Sequence, residues 1–152
     1  MNWLLLIAFV VVCELVGILG SIFTVRAIPT WYARLRKPTF SPPNWLFGPV
    51  WTILYALQGI AAYLVFQQTG NGPAFELFII QLLLNACWTP LFFGAKRIGA
   101  AFAEIIVLLI FIVVTTTLFF SVNAIAGWLM VPYAAWVAFA TMLNYKIWRL
   151  NR

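Results

Sequence analysis

Histidine is absent from this 152-residue chain, and its carboxylates are only three, Glu14, Glu76 and Glu104. A histidine-ligated haem iron and a Ser-His-Asp triad are therefore impossible, and two cysteines are too few to supply a zinc site in their place. Cys13 and Cys87 both fall in apolar stretches, where a thiol acts as a small hydrophobe, and two cysteines make no disulfide framework; free thiols are expected. Charge of either sign is scarce, at 8%, against roughly a quarter in soluble domains. The N-terminus has neither the basic region nor the small-residue cleavage site of a secretory signal, so its apolar run reads as a retained helix. Short segments of dyad alternation, the mark of a membrane barrel, are missing too.

What the chain has instead is 65% hydrophobic residues in five runs, about 3–25, 45–67, 74–94, 98–120 and 124–148. A helical span of the hydrocarbon core needs roughly 20 apolar residues. The expectation is an all-α integral membrane protein, one domain over 1–152, built as a bundle of five transmembrane helices with a structured first loop. All nine basic residues lie in the first loop, in the third loop at Lys96 and Arg97, and at the C-terminus, regions that five spans bring to one side. By the positive-inside rule the C-terminus is cytoplasmic and the N-terminus outside, in a prokaryotic cell membrane. The net charge of +6 is thus topological, with an attraction for anionic lipid, and does not indicate nucleic acid.

Polar residues within the apolar runs fall in stripes. Trp51, Tyr55, Gln58 and Ala62, then Gln81, Asn85, Trp88 and Phe92, then Tyr133, Trp136, Ala140 and Asn144 each recur at three- or four-residue steps, which puts each set on one helical face. Amides and indoles facing one way from three greasy helices describe the wall of a ligand pocket inside a membrane. The same helices carry Pro49, Pro90 and Pro132, each of which removes a backbone donor and so can widen a cavity. The first loop, 26–44, holds Trp31, Tyr32, Arg34, Arg36, Lys37, Pro38, Pro42 and Pro43. Its prolines lower the entropy of ordering. It reads as a pocket lid with a short helical turn near Thr30 to Leu35, followed by Ser41 capping the second span with Pro42 at its first position.

Trp31-Tyr32, Lys37-Pro38, Pro42-Pro43 and the run Phe47 to Tyr55 resemble the TspO/MBR family of tryptophan-rich sensory and translocator proteins. So do Gln81, the run Asn85 to Phe93, and Val131-Pro132-Tyr133 with Trp136, Ala140 and Leu143-Asn144-Tyr145. The resemblance implies a five-helix bundle, a homodimer, that binds porphyrins of the protoporphyrin IX type, sterols and benzodiazepine-type ligands beneath the first loop. It implies a pocket walled by Trp51 and Trp136, with Tyr32, Pro42, Tyr55, Asn85, Trp88 and Asn144 around them. The family's sterol pattern falls on Leu143, Tyr145 and Arg149; such patterns are weak in general form, and an interfacial anchor explains them equally well. No cofactor or metal is required, porphyrin entering as ligand. Indoles stack on a flat macrocycle, and Arg34, Arg36 and Lys37 are the nearest cations for its propionates.

Two other classes of activity fit the residues. In one, Trp51 and Trp136 act as electron donors in a light-dependent degradation of porphyrin. In the other, Glu14, an ionisable group at membrane depth, drives proton-coupled transport of a small molecule, although the internal repeat of many transporters is missing. Small-residue pairs such as Gly17 with Ser21 suit close helix approach without naming a partner.

Overall fold

A computed structural model describes residues 1–152, Met1 to Arg152. Five long helices dominate it: α1 (Trp3–Ala27), α2 (Phe47–Thr69), α3 (Pro73–Thr89), α4 (Ile98–Val122) and α5 (Ala124–Leu150). Each, α3 together with the turn that continues it to Gly94, is long and apolar enough to cross a membrane. Their boundaries follow local chemistry. Asn2 and Asn123 cap α1 and α5 by accepting the Leu5 and Ala126 N–H groups, which satisfies donors the first turn leaves free. Gly70 ends α2 with φ of 59°, a backbone region where glycine carries no steric cost, and Pro73 opens α3 at its first turn.

The prolines divide by position. Pro49 is the third residue of α2, where a missing N–H costs nothing, so it does not kink the helix as its place in the apolar run suggested. Pro132 lies inside α5, and Pro90 marks the point where α3 relaxes into a wider π-type turn, Pro90–Gly94. There the Ala95 N–H reaches back five residues to the Pro90 carbonyl at 2.7 Å. The expected cap at Ser41 also gives way. The chain passes Ser41 and Pro42 outside any helix, is extended at Pro43, makes a 3-10 turn over Asn44–Leu46, and enters α2 with no side-chain cap.

Helix α5 packs on α2 and α4, whereas α1 lies on α2 and α3. The first loop and the C-terminus share one end of the bundle, because the Asn151 side chain pairs with the backbone of Arg36. This basic end and the opposite, charge-poor end are built differently. At the charge-poor end Phe9, Phe66 and Phe75 meet with ring centroids 5.1 to 5.7 Å apart, and Tyr63 accepts the Asn2 N–H through its hydroxyl. Cys13 is buried as expected, but Cys87 faces outward.

Candidate ligand-binding site

The glycines of α1 and α2 set the shape of the interior. At Gly59 the two helices touch backbone to backbone, since a Cβ there would lie 2.6 Å from the Val10 Cα. Two turns along α1, Gly17 accommodates the Tyr55 ring, which a Cβ would meet at 2.6 Å. Beyond that point α1 leans toward α3: Gly20 faces Thr89, and Phe23 covers Gly94. The first turn of α2 is left apart, with nothing within 4 Å of where a Gly48 Cβ would sit. The separation opens a cavity of about 480 Å³, within the range typical of small-molecule sites.

Aromatic rings make much of its wall. Trp51 and Tyr55 come from α2, Trp88 and Phe92 from α3 and its π turn, and Trp136 from α5. Trp88 stacks on Phe92 at 5.0 Å. Its indole N–H donates to Asn144 at 3.1 Å, while the Asn144 amide donates to the Ile98 carbonyl at 3.0 Å. Asn144 therefore fixes the plane of Trp88, and with Ala140 and Leu143 it forms the α5 side of the cavity.

Gln81, Asn85 and Tyr133 do not line the cavity. They lie beneath it in a buried chain of hydrogen bonds that ties α2, α3 and α5 together. Tyr55 donates to Asn85 at 2.8 Å, Asn85 to the Tyr133 hydroxyl at 2.6 Å, Tyr133 to Gln81 at 2.8 Å, and Gln81 to Gln58 at 3.2 Å. The stripes face inward as their spacing predicts, but their amides satisfy one another. That is the arrangement low-dielectric surroundings require. The chain is not wholly satisfied, as the Gln58 Nε2 is buried without a partner; so are both oxygens of Glu104 on α4, outside this chain.

The first loop contributes Ile28, Tyr32 and Asn44 to the wall. Tyr32, in a 3-10 turn over Tyr32–Arg34, closes the basic end of the cavity against Phe92 and Phe93, and burial pushes its phenol above the ordinary value. Lys37 is committed elsewhere: its ammonium donates to the Tyr32 and Leu35 carbonyls at 2.7 and 3.2 Å and lies 4.6 Å from the Tyr32 ring centroid. Pro42, Arg34 and Arg36 are also outside the wall. Tyr145 packs on Phe102 and Trp148, and Arg149 is exposed, so of the sterol-pattern residues only Leu143 reaches the cavity.

The α1 face was missed in the sequence. Glu14, Gly17, Ile18, Ser21 and Thr24 form one side of the cavity, although α1 has no amide or indole stripe. The usable signal was Gly17 with Gly20, one turn apart, since small residues let a neighbour's bulky ring approach.

The chain's sequence has close counterparts. The sequence profile of the TspO/MBR family matches residues 9–149. The chain belongs to the TspO/MBR family. It is 40% identical over 153 residues to the tryptophan-rich protein TspO of Archaeoglobus fulgidus, covering 99% of each chain. The tryptophan-rich sensory protein of Cereibacter sphaeroides is 39% identical, over 99% of this chain and 94% of its own. The human translocator protein is 37% identical, over 98% and 91%. With five apolar helices and this membership, the chain is an integral, multi-pass membrane protein.

Proposed function

We propose that this protein binds flat, hydrophobic ring ligands of the porphyrin type within the membrane, as part of tetrapyrrole sensing, transport or removal. One observation carries the reading: two indoles on different helices, Trp51 and Trp136, border the same apolar hollow. A macrocycle there gains stacking contacts of about 1 kcal/mol each beyond the burial of its area. Its acids would emerge at the loop end, because no lysine or arginine belongs to the wall, and Arg34 and Arg36 are the cations free to meet them. By the positive-inside rule that end is cytoplasmic. The names borne by relatives, sensory protein and translocator, agree with a protein that responds to or moves a bound ligand.

Titration of protoporphyrin IX, followed by quenching of tryptophan emission, tests this. Trp51→Ala and Trp136→Ala should each weaken binding by roughly three- to tenfold. Unchanged affinity in both variants would overturn the reading.

A further inference from the structure

The deep end of the cavity has a chemical character that a porphyrin does not use. Glu14 lies about midway along α1 and is the only carboxylate in a wall otherwise made of aromatic, aliphatic and small polar side chains. Of the wall's donors the Trp136 indole N–H is buried without a partner, while others are engaged. The Tyr55 hydroxyl donates to Asn85, the Trp88 indole to Asn144, Ser21 to the Ile18 carbonyl and Thr52 to the Gly48 carbonyl. A ligand entering this end therefore meets one uncommitted charged acceptor and few free donors.

A lone carboxylate among apolar groups is costly in its charged form unless a cation shares the site. The protein supplies none. Glu14 also stands one helical turn from Gly17, whose surface is covered by the Tyr55 ring, and Tyr55 packs on Trp51 at 5.5 Å. An acid beside two electron-rich rings suits an ammonium group, which can pair with the first and lie over the second. The lips of the cavity at Ile18, Val25 and Trp45 are 58%, 68% and 72% exposed. In a bilayer they face acyl chains or the interface, so the route in favours molecules already dissolved in lipid.

We propose that Glu14 is the recognition group for the protonated nitrogen of lipophilic amines, whose apolar body lies along Trp51 and Trp88 in the same cavity. This rests on the cavity being a ligand site, and the test separates the two ideas. Energy transfer from tryptophan to pyrene would be measured in nanodiscs of zwitterionic lipid, with 1-pyrenemethylamine and the neutral 1-pyrenemethanol as paired probes, corrected for partition into protein-free discs. The amine should bind at least about tenfold more tightly than the alcohol, the low end of the coupling measured for close charge pairs. Glu14→Gln should erase that preference, bringing the amine down to the alcohol's affinity. Equal binding of both probes to the unaltered protein overturns the amine proposal alone, and so does a preference that survives Glu14→Gln. Loss of the alcohol as well in that variant would make Glu14 a structural residue and overturn the amine proposal in the same way. Failure of both probes to bind the unaltered protein overturns the cavity reading together with this one.

Discussion

The two ends of this bundle use the same kinds of residue to opposite effect. At the charge-poor end a glycine, Gly59, lets α1 and α2 meet at backbone distance, and phenylalanines fill the remaining gaps ring against ring. Toward the basic end Gly17 lies under the Tyr55 ring and Gly94 under Phe23, nothing approaches Gly48, and helices α1 and α2 part. Between the two ends the Tyr55–Asn85–Tyr133–Gln81–Gln58 chain spans α2, α3 and α5. Solid packing thus comes from helix against helix, and hollow space from rings held off by hydrogen bonds.

That contrast can be broken most severely at its tight end. Gly59→Leu puts a side chain where the Val10 backbone already stands, so overpacking should lower stability by about 3 kcal/mol or more. The check is the thermal midpoint in detergent; a midpoint within experimental scatter of the parent would show that α1 is not anchored there. The next effect sharpens the boundary between network and cavity. Tyr133→Phe leaves the Asn85 amide without its acceptor and Gln81 without its donor, a loss of about 1 to 3 kcal/mol. Porphyrin affinity should change far less than in Trp136→Ala, since Tyr133 lies beneath the cavity and does not line it. The smallest effect is at the loop. Lys37→Met removes two hydrogen bonds to loop carbonyls at a cost of about 1 to 3 kcal/mol confined to that segment; proteolysis of the first loop should quicken while helical circular dichroism is unaltered.

The sequence carries the five helices to within about two residues, save that α3 gives way to the π-type turn at Pro90, because apolar runs of membrane-spanning length have few other uses. The stripes on α2, α3 and α5 are legible as inward faces for the same reason that any polar group in lipid is turned from it. Their division was not legible. Spacing puts Asn85 and Trp88 on one face of α3, but only the partners on other helices decide that Asn85 is consumed by Tyr55 and Tyr133 while Trp88 borders open space. The part played by α1 was hidden for a related reason: it shapes the cavity through glycines, and a missing side chain leaves no periodic mark. The loop cations were legible as charges and not as geometry, since the engagement of Lys37 with the Tyr32 carbonyl is a matter of backbone shape.

The junction of Asn151 with Arg36 has a consequence for how the loop can vary. The side-chain amide of Asn151 accepts from the Arg36 N–H at 2.9 Å and donates to the Arg36 carbonyl at 2.8 Å, so it imitates a peptide unit of a neighbouring strand. Such a clasp reads the main chain and is blind to the residue it holds. Position 36 can thus exchange its guanidinium for almost any group without loosening the tether, proline alone excepted for want of an amide hydrogen. Charge at this corner is an adjustable dial mounted on a fixed bracket.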